Sequence, residues 1–324
     1  MPAEPRETPD VVTLGETMVL LTAPRIGPLR HARTLDVTIG GAESNVAIGV
    51  TRLGRRAAWI GRVGDDEFGR LVLAALGGEG LDVRGAIVDP EAPTGLMVKA
   101  RRTAAATAVR YYRAGSAGSR LCPDDIDPGR IRAARILHVT GITPALSGSA
   151  RAAVRAAIAE ARTTGVPVSL DLNYRQALWS ADDAACELRA LARDTDILFA
   201  TEDEARLVLG DAGHTTPAEL ARALGELGPA QVLLKQGSRG ALALVDEVAY
   251  EVAPHRVEAV DPVGAGDAFA AGYLAELLEG GPVSTRLATA AAAGAFAVTV
   301  PGDWEGLPGR DELRLLHVGD AVAR

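Results

Sequence analysis

The residues best suited to chemistry lie in the segment Asp261-Pro-Val-Gly-Ala-Gly-Asp267, which an apolar run follows. Gly264 and Gly266 frame a turn in which backbone N–H groups can converge without obstruction from side chains. A helix after this turn presents its N-terminal dipole and free N–H groups to an anion, above all a phosphate. The carboxylate of Asp267 would repel that phosphate, and this indicates a base that takes a proton from a hydroxyl attacking phosphorus. The alternative is a glycine turn with an aspartate that caps a helix.

A second glycine-rich segment, Gly40-Gly-Ala-Glu-Ser-Asn45, lies near the N-terminus and also precedes a predicted helix. The paired glycines Gly40 and Gly41 let the backbone approach a small polyhydroxylated ligand, and Asn45 offers both a donor and an acceptor. The segment lacks the lysine and hydroxyl residue of a Walker P-loop and the spacing of a dinucleotide fingerprint. A dinucleotide-dependent oxidoreductase is therefore disfavoured.

Together these two segments resemble the ribokinase, or PfkB, family of sugar kinases, and the resemblance extends from Leu14 to about Leu316. In that family the turn holds the transferring phosphate and its aspartate is the catalytic base. The resemblance implies that Gly264, Ala265 and Gly266 form an anion hole and that Asp267 deprotonates the acceptor hydroxyl. It also implies a doubly wound, ribokinase-like α/β fold, with a mostly parallel sheet flanked by helices and a small β-sheet lid.

Within the family the chain is most similar to kinases that phosphorylate the terminal hydroxyl of 2-keto-3-deoxygluconate to the 6-phosphate. The segments that carry this similarity are Gly40-Gly-Ala-Glu43, Tyr111-Tyr-Arg-Ala-Gly-Ser-Ala117, Gly141-Ile-Thr-Pro-Ala-Leu146, Asp171-Leu-Asn-Tyr-Arg-Gln-Ala-Leu-Trp179 and Asp261 to Asp267. The substrate contacts that it implies are Gly40, Gly41, Asn45, Tyr111, Arg113, Ile142, Arg175, Asp267 and Asp303. Two alternatives stay open: a kinase for a neutral sugar such as fructose or ribose, and a sugar-sensing binding protein on the same fold.

A sugar acid differs from a neutral sugar by a carboxylate, which needs a cation or hydrogen-bond donors. Only Lys99 and Lys235 are lysines among the 34 basic residues, so arginine is too abundant to be informative by itself. Arg113 is singled out because it ends a strand-like segment beside Tyr111. Arg175 is singled out because it follows a predicted sheet strand at its carboxyl end, where ligands of α/β proteins bind. The alternative for each arginine is a structural salt bridge.

Phosphoryl transfer demands positioning and charge stabilisation, so ATP and a Mg²⁺ that bridges its phosphates are expected. The nucleotide contacts implied by the resemblance are Asn173, Arg175, Lys235, Gly237, Arg239, Gly240, Gly264 and Gly266. Glu204 is expected near the metal, through water, although Thr201 replaces the family's asparagine; the alternative is an acidic first helical turn. Met97 replaces a tyrosine and Ala291 an asparagine of relatives. The need for a monovalent cation stays open.

Strand-like and helix-like segments alternate along the chain, which predicts βαβ units and a parallel sheet with helices on both faces. The predicted strands are Val11–Leu21, Ala57–Arg62, Ile136–Thr140, Val166–Asp171, Asp196–Ala200 and Gln231–Lys235. The predicted helices are Ser44–Leu53, Phe68–Gly77, Ser149–Thr163, Ala181–Arg193 and Ala218–Leu227, with two more that begin near Ala265 and Ser284.

A small β-sheet lid is predicted because the strand-like segments Thr94–Ala100 and Thr107–Arg113 are not followed by helices. We expect one domain over 1–324, with the lid built from segments near 12–40 and 91–113. Residues 1–10 contain three prolines among charges and are expected to form a flexible tail. The exposed edges of lid strands are a candidate surface for homo-oligomers.

The composition of the 324 residues narrows the partners further. The net charge of −8, without any basic block, disfavours nucleic acid and anionic membranes as partners and agrees with a small-molecule sugar acid and ATP. Cys122 and Cys186 lack metal-ligand spacing and are expected to be thiols. The N-terminus has no apolar signal region and no apolar run is long enough to span a bilayer, so a cytoplasmic location is expected.

Overall fold

The computed structural model of the chain describes residues 8–103, 107–210, 213 and 215–317. Its strands are β1 (Val11–Leu14), β2 (Met18–Thr22), β3 (Asp36–Gly40), β4 (Ala57–Gly64), β5 (Asp82–Asp89), β6 (Leu96–Arg101), β7 (Thr107–Tyr112), β8 (Ile136–Thr140), β9 (Val168–Asp171), β10 (Ile197–Thr201), β11 (Gln231–Lys235), β12 (Ala241–Val245) and β13 (Val248–Val252). Its α-helices are α1 (Ala42–Arg52), α2 (Glu67–Gly78), α3 (Pro128–Ala133), α4 (Thr143–Leu146), α5 (Gly148–Thr164), α6 (Ala181–Ala192), α7 (Glu202–Leu209), α8 (Pro217–Gly225), α9 (Ala265–Glu279) and α10 (Val283–Ala297).

The larger sheet runs in the order β13-β12-β11-β10-β9-β8-β1-β4-β5. Pairing is parallel from β5 across to β11, while β12 and β13 add one antiparallel edge. The central strands are buried on both faces, as in Ile136–Thr140, because helices cover both sides. The predicted α/β class, with a mostly parallel sheet flanked by helices, is confirmed.

Two apolar clusters fill the space between the sheet and its helices. One contains α5 and α6, whose Ala153 and Leu188 are fully buried, and the other contains α1, α9 and α10 around Tyr273. Helices α9 and α10 pack closely because Gly272 has no side chain: a Cβ there would lie 2.8 Å from the Cα of Ala290. This packing holds the first turn of α9 at a fixed place beside the sheet. None of the helices in the described part of the chain has the length and apolarity that crossing a membrane requires.

A separate four-stranded sheet, here called the small sheet, has the order β3-β2-β6-β7. β2 pairs antiparallel with β3 and parallel with β6, and β6 pairs antiparallel with β7. Met18, Leu20 and Met97 form a buried cluster on one of its faces. The segments predicted near 12–40 and 91–113 contribute all four of these strands.

The single strand predicted at Val11–Leu21 is wrong, because the chain changes sheets within it. β1 ends in the larger sheet, where the Gly15 N–H donates to the carbonyl of Ile60 at 3.0 Å, and β2 begins in the small sheet. A Cβ on Gly15 would lie 2.2 Å from the carboxyl carbon of Glu43, so only glycine fits at this crossing. A run of apolar residues cannot show such a change of partner.

Two strands and the end of the predicted tail also differ from the sequence-based expectation. β3 and β5 were not predicted, because both are edge strands whose half-exposed residues alternate only weakly. Asp10, expected in the flexible tail 1–10, is buried, and its carboxylate accepts from the Arg56 N–H at 3.0 Å. Residues 1–7 lie outside the described residues.

Candidate active site

A cavity of about 920 Å³ lies between the small sheet and the larger one. Its walls are the small sheet, the carboxyl ends of β9, β10 and β11, and the first turns of α1 and α9. The carboxyl end of a parallel sheet is where ligands of such proteins bind. The predicted site residues that line it are Gly41, Asn45, Tyr111, Arg113, Ile142, Asn173, Arg175, Glu204, Lys235, Gly237, Gly240, Gly264, Ala265, Gly266, Asp267 and Asp303.

Two predicted site residues are not among those that line the cavity. Gly40 lies behind the wall, where a Cβ would be 2.4 Å from the end of Met97 and 2.8 Å from an oxygen of Asp303. Its absent side chain thus lets these two residues approach. Arg239 is exposed and its guanidinium pairs with Glu202, which Arg206 also contacts, so the structure holds it outside the cavity.

The turn before α9 is shaped by backbone geometry. Gly264 caps the helix with φ +79°, and a Cβ at this position would lie 2.1 Å from the carbonyl oxygen of Asp303. Both features require glycine. Ala268 N–H donates to the Gly264 carbonyl as the first helical hydrogen bond, so the preceding N–H groups have no acceptor within the helix. The turn therefore offers free donors and a positive dipole end to the cavity.

Asp267 lies in the first turn of α9 and is 9% exposed. Its Oδ2 accepts from the Asn45 side-chain amide at 2.8 Å, which joins the two glycine-rich segments found in the sequence. Burial raises the pKa of Asp267 to about 7; the Asn45 hydrogen bond and the Arg175 and Lys235 cations oppose this rise, and the Asp171 carboxylate adds to it. A carboxyl group with this pKa can exchange a proton near neutral pH.

Lys235 and Asp171 form an ion pair at the carboxyl ends of β11 and β9. The Lys235 Nζ lies 2.7 Å and 2.6 Å from the two oxygens of Asp171. Burial lowers the pKa of Lys235, but Asp171, Glu204 and Asp267 outweigh it, so the pKa lies above its ordinary value and the ammonium stays charged. A Cβ on Gly266 would come 3.4 Å from the Nζ, which places this cation against the α9 turn.

Arg113 lies at the opposite side of the cavity and is 9% exposed. Its Nε donates to Glu16 Oε2 at 2.7 Å, and its Cζ lies 5.8 Å from the centre of the Tyr111 ring. Ser116 donates to the other oxygen of Glu16. Sequence reasoning missed Glu16 as a partner of Arg113, because the two lie 97 positions apart.

A buried ion cluster that the sequence did not predict joins the small sheet to the α9 turn. Lys99 Nζ donates to Asp261 Oδ2 at 2.6 Å and to Asp303 Oδ1 at 3.1 Å. Asp303 was predicted at the substrate, and Asp261 begins the motif that contains Asp267. The only available signal for Lys99 was the rarity of lysine in this chain.

Glu43 is a second buried acid that sequence reasoning did not assign to the site, although it lies within the first glycine-rich motif. Its Oε1 accepts from the hydroxyls of Thr140 and Thr143 at 2.7 and 2.6 Å, and it lines the cavity. Burial raises its pKa above the ordinary value although both hydroxyls oppose this. The Thr140 hydroxyl also accepts from the Ile142 N–H, so this network fixes the loop where Ile142 lines the cavity.

Glu204 has the geometry of a helix cap. Its two carboxylate oxygens accept from the N–H groups of Thr201 at 2.7 Å and Tyr174 at 2.9 Å, while the Thr201 hydroxyl accepts from the Glu204 N–H. This is a capping box at the start of α7. Across the described ranges, no three acidic, histidine or cysteine side chains cluster as ligands for a metal ion. Each oxygen of Glu204 keeps a lone pair that can accept from a water.

The loop after β9 carries a strained residue. Asn173 has φ +38° and is buried, whereas Arg175 two residues later is exposed at the rim of the cavity. Asparagine tolerates the left-handed region better than most residues, and such backbone concentrates at functional sites. The loop thereby places an exposed cation at the same cavity as Lys235.

Comparison with known proteins relates this chain to a class of enzymes. The family model described as pfkB family carbohydrate kinase matches residues 8–310. The chain is 40% identical to 2-dehydro-3-deoxygluconokinase of Thermoproteus tenax, over 92% of this chain and 91% of that protein. It is 36% identical to 2-dehydro-3-deoxygalactonokinase of Haloferax volcanii, over 97% and 98% of the two chains. A solved Escherichia coli structure, named as a candidate ribokinase II in complex with ATP and Mg²⁺, has a TM-score of 0.88 and 28% identity, covering 95% of this chain and 99% of that one.

Proposed function

The chain belongs to the pfkB family of carbohydrate kinases, and on this premise we propose that it transfers the γ-phosphoryl group of ATP to the terminal hydroxyl of 2-keto-3-deoxygluconate, giving the 6-phosphate. That it is a kinase acting on a sugar follows from the family and from its relatives. The names of the two relatives above support a sugar acid as the acceptor. The observation that carries the proposal is that the buried carboxyl group of Asp267 lies beside the free N–H groups of the α9 turn, in the same cavity as Arg113.

Asp267 is the base in this proposal. Its pKa of about 7 makes the carboxylate a stronger base than an ordinary aspartate, and above neutral pH the group is deprotonated and can accept a hydroxyl proton. The Asn45 amide occupies Oδ2 at 2.8 Å, which leaves Oδ1 for the acceptor hydroxyl. The substrate's terminal carbon then lies next to the α9 turn.

The N–H groups of the turn at Gly264, Ala265 and Gly266 form the anion hole in this proposal. They stabilise the charge that develops on the transferring phosphoryl group, and one preorganised donor of this kind is typically worth roughly 3–4 kcal/mol. The Lys235 ammonium beside Gly266 adds positive charge to the same place. Phosphoryl transfer requires little covalent chemistry from the protein, so positioning and charge stabilisation of this kind are its main contribution.

The carboxylate of the sugar acid binds at the far side of the cavity in this proposal. Arg113 uses one side of its guanidinium for Glu16 and keeps further N–H groups for the substrate. Tyr111 is half-exposed and offers its hydroxyl to the keto acid. A neutral sugar would leave these donors unpaired, which is the physical basis for preferring an acid.

ATP binds along the carboxyl ends of β9, β10 and β11 in this proposal, with Asn173, Arg175, Lys235, Gly237 and Gly240 as its contacts. Mg²⁺, when bound together with the nucleotide, would supply charge neutralisation. Since Mg²⁺ keeps several of its waters and relies on nucleotide phosphates for its other ligands, the absence of a carboxylate cluster among the described residues is compatible with it. Glu204 is the residue that would accept from a metal-bound water.

The test is ADP release by purified protein with ATP and Mg²⁺ across a substrate panel. The panel contains 2-keto-3-deoxygluconate, its galactonate epimer, fructose and ribose, with no acceptor as the blank. We expect the highest kcat/KM for the two acids. Turnover of fructose or ribose without turnover of either acid would contradict the proposal in favour of a neutral-sugar kinase. Binding of a sugar acid without any ADP release would instead identify a sugar sensor.

A further inference from the structure

Lys99 is the strongest unassigned feature of the molecule. It lies in β6 of the small sheet and is 3% exposed. Its Nζ lies 2.6 Å from Asp261 Oδ2 and 3.1 Å from Asp303 Oδ1, two carboxylates outside the small sheet. Burial lowers the pKa of Lys99, but Asp303 and Asp261 outweigh it, so the pKa lies above its ordinary value and the ammonium is charged. Desolvating an ammonium is costly unless it is fully paired, so this pairing must be present whenever the small sheet holds its observed position.

The two carboxylates that Lys99 contacts belong to the segments that shape the α9 turn. Asp261 Oδ1 accepts from the Val263 N–H at 3.3 Å, one residue before Gly264, and its Oδ2 accepts from the Gly302 N–H at 3.4 Å. The carbonyl oxygen of Asp303 lies against Gly264, where a Cβ would be 2.1 Å away. The ammonium thus joins the two chain segments whose backbones form the turn.

Lys99 itself lines the cavity, and it shares its strand with a second residue that does so. Met97 lies two positions earlier on the same face and lines the cavity, and it pairs in register with Tyr111 on β7. A displacement of Lys99 would therefore displace Tyr111 relative to the α9 turn. The lysine connects the wall that carries Tyr111 with the turn that carries Asp267.

We propose that Lys99 is a positioning residue: its ammonium ties the small sheet to the α9 turn and neutralises one of the two carboxylate charges beside that turn. The proposal rests on the proposed function in taking the turn as the binding place of the transferring phosphoryl group. Without the ammonium, Asp261 and Asp303 would repel each other and the incoming phosphate, and the turn would lose its alignment with the acceptor hydroxyl. Lys99 acts through these aspartates and is not itself a catalytic residue.

The first experiment compares Lys99→Met with Arg110→Met by steady-state kinetics. Arg110 is exposed on β7 and, by strand alternation, lies on the opposite face of the small sheet from Tyr111, so its loss removes a positive charge without touching the cluster. We expect K99M to lower kcat by roughly 10- to 100-fold, because small misplacements cost this much. We expect KM for ATP to change less than kcat, and R110M to retain the wild-type values.

Two further measurements separate positioning from a general loss of folding. Adding Asp261→Asn to K99M removes one of the two unpaired carboxylates, which returns the net charge of the cluster to its wild-type value, and should restore part of kcat. Methylammonium added to Lys99→Ala should also restore part of kcat, because it can donate to both aspartates, whereas tetramethylammonium at the same concentration should not. Tm is recorded for every variant.

Two results would overturn the inference: a kcat of K99M equal to that of R110M, or a loss in K99M that neither D261N nor methylammonium restores while Tm falls in parallel. All ratios are taken on whichever panel substrate the wild type turns over. A wrong substrate assignment therefore appears in the wild-type panel, and a wrong role for Lys99 appears in the variant ratios. If Lys99→Met fails to fold, Lys99→Arg retains the charge, and Lys99→Ala with methylammonium decides the question.

Discussion

Replacing Asp267 by asparagine should lower turnover by orders of magnitude and at the same time stabilise the folded protein at neutral and alkaline pH. The rise of the pKa of Asp267 from 3.8 to about 7 means that its surroundings in the fold, chiefly burial, disfavour the charged form by roughly 4 kcal/mol in net. The new amide carries no charge, and its oxygen can accept from Asn45 as Asp267 does.

The pH dependence follows from the direction of this shift. Below pH 3.8 the carboxyl is protonated in both the folded and the unfolded chain, and its contribution to stability is fully present. As the pH rises, the unfolded chain loses the proton first, so the folded state is destabilised progressively until the folded pKa near 7 is passed. Between pH 5 and pH 8 the ionisation of Asp267 lowers the free energy of unfolding by about 3 kcal/mol, and the asparagine variant does not undergo this loss.

The assay is thermal unfolding of both proteins at pH 5 and pH 8, with ADP release measured in parallel. For a chain of 324 residues, about 3 kcal/mol corresponds to a Tm difference of about 4 °C. The Tm advantage of D267N should therefore be about 4 °C larger at pH 8, while kcat falls by roughly 10²- to 10⁴-fold. Asp124→Asn, at an exposed aspartate, is the control and should change neither quantity. An advantage that is equal at both pH values, or retained turnover, would refute the reasoning.

Three further substitutions test other parts of the site. The double variant Arg113→Met with Glu16→Gln removes the guanidinium without leaving a buried carboxylate unpaired. It should raise KM for the sugar acid by roughly 10- to 100-fold and change KM for a neutral analogue much less, as measured across the substrate panel. Gly264→Ala should lose nearly all turnover and lower Tm. Position 264 excludes a side chain because its φ is +79° and a Cβ there would lie 2.1 Å from the carbonyl oxygen of Asp303. Unchanged kinetics would argue against the anion hole. Arg239→Ala should change KM for ATP by less than about fivefold, because its guanidinium pairs with Glu202 outside the cavity; a larger change would restore it as a nucleotide contact.

The two glycine-rich segments could be interpreted from sequence because their chemistry is local. A turn framed by Gly264 and Gly266 before an apolar helix predicts an anion site wherever the helix lies, and the structure has that helix begin at Ala265. The alternation of strands and helices predicted the α/β class for the same reason, since periodicity within ten residues reflects burial. The resemblance to a sugar kinase family, carried by these same motifs, is confirmed by the family match over residues 8–310.

The tertiary structure decided what depends on residues distant in sequence. The bond from Asn45 to Asp267 spans 222 positions and the one from Lys99 to Asp303 spans 204, and no local pattern records either pairing. The pKa of Asp267 near 7 likewise comes from burial and from charges on other elements. The sequence by itself predicted which groups are suited to phosphoryl transfer, because residue type and local spacing set that chemistry. Which charges are paired, and which remain free to meet a substrate, is decided only by packing, because burial and neighbours set the energy of a charge.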